Sequence, residues 1–145
     1  MTKILLKRLK IRPKWFCPAF ITHYMIKCDR FWKVLKDRKI AIVGRRAAEA
    51  SYVFKDRGID IMYTTGLEGC DEIEEVYKDL SKRKDWEIAL LSAGIPATIL
   101  APRLAKKTNK VAIDFGHALD MIIDGENFNY EKILRDWEKG LIKRC

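Results

Sequence analysis

Short apolar runs recur along the middle of the chain, and each is followed by glycine or by small polar residues. Runs of this length and near-continuous apolar character are typical of parallel strands that are buried on both faces. Between them, apolar residues change to a spacing of three and four, as at Ile73, Val76 and Leu80, which is typical of an amphipathic helix. The pattern therefore predicts strands that alternate with helices, at Lys39 to Val43, Ile59 to Tyr63, Glu87 to Leu91 and Lys110 to Ile113.

This alternation implies a mostly parallel sheet with right-handed crossovers and helices on both faces. We predict an α/β fold, a Rossmann-like three-layer sandwich with a mostly parallel sheet of about four strands and an extra N-terminal helical arm. The length of 145 residues fits one domain. We expect a basic arm over residues 1–28 and a single Rossmann-like domain over residues 29–145. Within it, the helix after the third strand should begin near Pro96, and Pro102 should bend it or make it restart.

The net charge of +9 favours an anionic partner, and most of the excess positive charge lies on the arm. The first 28 residues contain seven Lys or Arg and no Asp or Glu. Apolar residues among these cations fit either a helix packed on its own domain or a segment that contacts a membrane surface or another protein. Nucleic-acid binding by the arm is the weaker alternative and is disfavoured.

The cysteines and histidines indicate neither a zinc site nor the disulfide framework of a secreted protein. The four cysteines include no C-x-x-C pair, and the two histidines supply no zinc-ligand spacing with them. No run approaches the roughly 20 apolar residues of a membrane span, and the first residues lack the apolar region of a signal peptide. We therefore expect the thiols to be reduced. We expect the protein to be cytoplasmic, either unattached or bound peripherally at the inner membrane surface.

The residues that follow the strands are the candidates for phosphate binding. Ligands of open α/β sheets bind beyond the carboxyl ends of the strands, where these residues should converge. Ser92 and Gly94 offer a hydroxyl and backbone N–H groups at the start of a helix, while Gly44 forms a tight turn. The guanidinium groups of Arg45 and Arg46 are suited to phosphate. The alternatives are a purely structural turn at Gly44 and a helix-capping role for Ser92.

The segment after the fourth strand holds candidate catalytic groups. Asp114, His117 and Asp120 are able to supply a base, a contact to sugar hydroxyls or metal ligands. Structural alternatives stay open, since Asp114 is also suited to cap a turn and His117 to bond a backbone carbonyl. No serine–histidine–acid or cysteine–histidine arrangement is recognisable, which disfavours hydrolase chemistry of that type.

Several of these segments together resemble one known family. The most specific pair is Ser92-Ala93-Gly94-Ile95-Pro96-Ala97 and Asp114-Phe115-Gly116-His117, separated by a helix and a strand. Further similar segments are Phe31-Trp32-Lys33-Val34-Leu35, Ile40-Ala41-Ile42-Val43-Gly44-Arg45 and Leu67-Glu68-Gly69. Over roughly Cys17 to Asp124 the chain resembles the C-terminal part of bacterial glycosyltransferases of the GT-D type.

The resemblance implies a Rossmann-like GT-D-type domain that transfers a sugar from a nucleotide-diphosphate donor to a glycan or protein-linked acceptor. It implies a divalent cation, manganese or magnesium, and no organic cofactor. In the family an Asp-x-Glu motif precedes the matched region, whereas here we find only the basic arm before it. The alternative is a catalytically inactive, truncated relative that binds a nucleotide sugar or a partner protein.

Overall fold

The computed structural model describes residues 21–132 together with Arg8, Lys10, Arg12, Arg135 and Lys139. Most of the predicted basic arm lies outside these residues. The α-helices are α1 (Ile21–Ile26), α2 (Asp29–Leu35), α3 (Ala47–Asp56), α4 (Ile73–Lys82), α5 (Ile95–Thr108) and α6 (Ala118–Asp124). The strands are β1 (Lys39–Gly44), β2 (Asp60–Thr65), β3 (Ile88–Ser92) and β4 (Val111–Asp114), and 3-10 turns occupy Cys70–Glu72 and Gly125–Asn127.

The strands form one sheet in the order β2-β1-β3-β4, and all three pairings are parallel. Each predicted strand is present within one or two residues of its expected bounds. The prediction of a Rossmann-like parallel sheet of four strands is therefore confirmed. Because the chain passes from β1 to β2 on one side and then returns to β3 on the other, the strand order reverses between β1 and β3.

Two apolar cores hold helices against the two faces of the sheet. One core joins α2, α3 and α6 to the sheet through residues such as Leu35, Phe54 and Phe115, all fully buried. The other joins α4 and α5 to the opposite face through residues such as Leu80 and Leu100. Alternate residues of β1 enter opposite cores, as a strand buried on both faces requires.

Helix α5 runs through Pro102 without interruption, so it does not restart there. Pro102 is exposed, where water can hydrogen-bond the carbonyl group that proline leaves without a donor. The helix ends at Asn109, whose left-handed backbone (φ +55°) lets its N–H bond the Ala105 carbonyl. Lys106 and Lys107 in the last turn complement the negative end of the helix dipole.

The N-terminal helices pack on the domain rather than standing apart from it. Helix α1 contacts α2 and α6, and α2 contributes Phe31 and Leu35 to the first core. An N-terminal helical addition is thus present, while the predicted boundary at residue 28 stays a prediction. None of the described helices is long and apolar enough to cross a membrane.

Candidate functional site

The strand-exit site comprises three segments at the carboxyl ends of the strands: Gly44 to Arg46, Ser92 to Gly94, and Asp114 to Asp120. Gly44 and Ser92 are register partners at the ends of β1 and β3. These two strands flank the point where the strand order reverses, and the helices that follow them, α3 and α5, cover opposite faces of the sheet. An open crevice is expected at such a point in α/β sheets.

Gly44 is required for the close approach of β1 and β3. Its φ is +147°, and a Cβ atom added there would lie 2.2 Å from the backbone oxygen of Ser92. Backbone atoms of a paired strand cannot rotate away as a side chain can. The turn therefore accepts only glycine without displacing the strand ends.

Gly116 links the exits of β3 and β4. The Ser92 hydroxyl donates a hydrogen bond to the Gly116 carbonyl at 2.5 Å, and the Gly116 N–H donates to Asp114 Oδ1 at 3.2 Å. Gly116 itself has a left-handed φ of +52°. Ser92 thus fixes the loop after β4 instead of capping α5, and Asp114 stabilises its own turn.

The loop delivers His117 to the start of α6. Its Nδ1 lies 3.3 Å from Asp120 Oδ2, one helical turn further on, and its ring packs edge-on against Tyr130. The His117 side chain is 43% exposed, whereas that of Asp120 is 14% exposed. The imidazole is therefore accessible from solvent, and its carboxylate partner is largely enclosed.

Arg46 ties α6 to the start of α3. Its guanidinium donates five hydrogen bonds, to both oxygens of Glu49, both of Asp124 and one of Asp120. Five is the full donor capacity of an arginine side chain. We refer to Arg46 with Glu49, Asp120 and Asp124 as the Arg46 cluster.

Comparison with protein families matches residues 1–122 to the GT-D fold-like domain. The chain belongs to this GT-D-like family. The match covers most of the chain, and it confirms the resemblance predicted from the strand-exit motifs. A comparison with curated proteins finds no match.

Charges in the strand-exit site of this GT-D-like domain shift the pKa values of several groups. For Asp120, desolvation alone would raise the pKa, but hydrogen bonds from His117 and Arg46 outweigh it and the net pKa is lowered. The Arg46 hydrogen bonds lower the pKa of Glu49, while its carboxylate partners raise the pKa of Arg46 itself. Asp114 is exposed to solvent on one side, and desolvation by the protein on the other side raises its pKa. The hydrogen bond from the Gly116 N–H offsets part of this rise.

The predicted site residues occupy two parts of the same region. Ser92 and Asp114 meet at Gly116, and His117 meets Asp120. Arg45 is exposed, and its side chain makes no hydrogen bond or ion pair with any residue in the described part of the chain. Gly94, with φ +61°, precedes α5 and lies open to solvent.

The sequence indicated Arg46, with Arg45, as a candidate phosphate contact and did not show that Arg46 holds the site in place. Its partners Glu49 and Asp124 were missed altogether. One signal was available, because Asp120 and Asp124 are four residues apart and so share one face of a helix. The helix itself was not predicted, since its apolar run, Met121 to Ile123, is too short to show a period.

A divalent cation finds no matching donor set among the described residues. No group of three or more His, Cys, Asp or Glu side chains there is arranged to hold a metal ion. Asp120 faces Arg46 and His117 with its two oxygens, and Asp114 turns one oxygen to Gly116. The residues of the strand-exit site therefore do not fit the metal that the resemblance implies.

A cavity of about 240 Å³ lies at the exit of β2, beside α4. Among the residues that the structure describes, its lining includes Glu72, Glu75 and Asp79 and no Lys or Arg. The Tyr63 hydroxyl donates a hydrogen bond to the Asp79 carboxylate. Three carboxylates repel an anion, so this cavity is unsuited to phosphate.

The cysteines differ in state. Cys28 is free and exposed, whereas Cys70 is disulfide-bonded. The prediction of reduced thiols is therefore wrong at Cys70. Spacing in the sequence gave no signal for this bond, because cysteine pairing depends on which segments the fold brings together.

Proposed function

We propose that this GT-D-like domain binds a nucleotide-diphosphate sugar at the strand-exit site and transfers the sugar to a glycan or protein-linked acceptor. The observation that supports it most is the match of residues 1–122 to the GT-D fold-like domain. Position adds to it, because the strand-exit site lies where the strand order reverses, the usual ligand position in such sheets.

The diphosphate is assigned to the exits of β1 and β3. Gly44 keeps the two strand ends close, and Arg45 offers a guanidinium group without a partner among the described side chains. A guanidinium suits phosphate because it donates two parallel hydrogen bonds to one anion. Ser92 and Gly94 line the same edge, with backbone N–H groups at the start of a 14-residue helix.

The sugar and its acceptor are assigned to Asp114, His117 and Asp120. Asp114 has one oxygen free of the Gly116 bond and is exposed, so it is the candidate base toward an acceptor hydroxyl. In the tautomer with a proton on Nδ1, His117 donates to Asp120 and leaves Nε2 as an acceptor toward solvent. Asp120 then acts through His117 by fixing its ring.

Thermal unfolding with UDP- and GDP-sugars, each with and without manganese, tests the proposed function. A ligand that binds only the folded protein raises the melting temperature as its concentration rises. We expect at least one donor to do so in the wild type and to do so less in Arg45→Ala. Arg38→Ala is the matched control, because it removes the same charge at the opposite end of β1. The absence of a shift with every donor would refute the proposal.

One observation favours a second candidate, a binding module without transferase activity. Of the three assigned catalytic side chains, Asp120 is fully engaged by Arg46 and His117, which leaves fewer groups for chemistry. Donor binding without release of nucleoside diphosphate, in the presence of a lipid-extract acceptor mixture, would support the module. Sugar-dependent release that Asp114→Asn abolishes would support the transferase.

The arm and the cellular location belong to the same proposal. We assign the seven cations of residues 1–28 to a membrane surface or a protein partner, and the domain to the cytoplasmic side of the inner membrane. Co-sedimentation with anionic vesicles that falls with added salt is the expected result. Since disulfides seldom persist in the cytoplasm, the oxidation state of Cys70 in alkylated whole cells tests the location.

A further inference from the structure

Every carboxylate oxygen of the Arg46 cluster already has a partner. Glu49 and Asp124 each accept from Arg46 with both oxygens. Asp120 accepts from Arg46 with Oδ1 and faces His117 with Oδ2. Three acids from two separate helices, α3 and α6, thus converge on a single cation that the chain supplies itself.

Three of the four members of the cluster are partly enclosed, and Glu49 is more open. The side-chain exposure of Arg46 is 23%, that of Asp120 is 14% and that of Asp124 is 32%, whereas that of Glu49 is 56%. Carboxylates removed in part from water need a positive partner, because an unpaired buried charge is strongly disfavoured. In many proteins a divalent cation meets that need when several oxygens converge.

We propose that Arg46 takes the place of a divalent cation among these three acids and leaves Arg45 to meet the charge of the ligand, so that nucleotide-diphosphate binding does not depend on divalent metal. This inference rests on the proposed function, because the ligand is the one proposed there. It departs from the divalent cation that the family resemblance implies.

The two adjacent arginines then have different tasks. Arg46 has no donor left for a ligand and holds α6, with His117 at its start, against α3. Arg45 has all its donors available among the described residues and supplies the positive charge that a diphosphate meets. Arg46 is therefore a positioning residue, and Arg45 is a binding residue.

Calorimetric titration with UDP and GDP, in EDTA and in manganese, tests the inference on the full chain. The dissociation constant should agree within about twofold between the two conditions, and Arg45→Ala should weaken it about tenfold or more. Arg38→Ala should leave it unchanged. Binding that appears only with manganese would overturn the inference and leave the proposed function standing. Absence of binding in both conditions would instead overturn the proposed function.

A second measurement separates the role of Arg46 from a merely structural one. Arg46→Met keeps much of the side-chain stem but leaves three carboxylates without their cation, so manganese should raise its melting temperature by about 3 °C or more. Manganese should not raise that of the wild type. Arg46→Lys retains one charge, provides a second folded variant if the methionine variant is unstable, and should respond less than Arg46→Met. Equal manganese responses in wild type and both variants would overturn the proposal.

Discussion

Replacement of Gly44 by alanine tests the account of how the strand-exit site is built. The added Cβ would lie 2.2 Å from the Ser92 backbone oxygen and 3.0 Å from its carbonyl carbon. Both atoms belong to β3, which is hydrogen-bonded to β1 and cannot yield locally. The clash is relieved only if the carboxyl ends of the two central strands separate.

Two terms set the size of the effect. A non-glycine residue held at an unfavourable φ such as +147° costs about 1–3 kcal/mol. Forcing extra atoms into a packed site costs a further amount of about 1–3 kcal/mol. We therefore expect Gly44→Ala to lose about 4 kcal/mol of unfolding free energy, a large share of the roughly 5–15 kcal/mol of a typical domain.

Urea denaturation followed by circular dichroism measures this loss without any ligand. Gly66→Ala is the matched control, because Gly66 follows β2 and nothing lies within 4 Å of a Cβ added there. Alanine reduces the entropy of the unfolded chain equally in both variants, so the difference between them reports the unfavourable φ and the clash together. Unfolding free energies of Gly44→Ala and Gly66→Ala that agree within about 0.5 kcal/mol would show that Gly44 is not needed for the close approach of the two strands.

Three further predictions concern single contacts. Ser92→Ala removes the hydrogen bond to the Gly116 carbonyl and should cost about 1–2 kcal/mol in urea denaturation, so an unchanged midpoint would contradict the contact. Asn109→Gly should be at least as stable as wild type and Asn109→Ala about 1 kcal/mol less stable, because the cap has a left-handed backbone; equal stabilities would argue against that cap. The folded-state pKa of Asp120 is lowered, so its stabilisation is complete above its unfolded pKa near 4 and is lost as pH falls through the folded value. Asp120→Asn should therefore be less stable at pH 7 but should lose less stability than wild type between pH 5 and about pH 3, and parallel losses would contradict the pairing with Arg46.

The sheet was predictable from sequence because its strands are short apolar runs that end at glycine or polar residues. Alternation with amphipathic segments such as α4 then limited the topology to a parallel sheet with helices on both faces. Helix α6 was missed for a physical reason. Its seven residues bury only Ala118 and Leu119 fully, while Ile122 and Ile123 pack partly buried against the first core, so the apolar pattern is too short to show a helical period.

The location of the candidate site was predictable, but its internal connections were not. Strand ends in a parallel sheet must meet at one edge, so Gly44, Ser92 and Asp114 were expected to lie close together. The link from Arg46 to Asp120 spans 74 residues of sequence and depends on how α3 and α6 pack. Sequence alone could not show that Arg46 would bond the carboxylates of α6 while Arg45 would remain exposed.

Amide chemical-shift mapping during titration with UDP or GDP tests whether the strand-exit site binds a nucleotide diphosphate. We expect shifts that concentrate at Gly44 to Arg46, Ser92 to Gly94 and Gly116 to His117, and that are weakened in Arg45→Ala. Shifts confined to the opposite edge of the sheet, near Arg38 and Glu87, would contradict this expectation, and so would a spectrum that neither nucleotide changes.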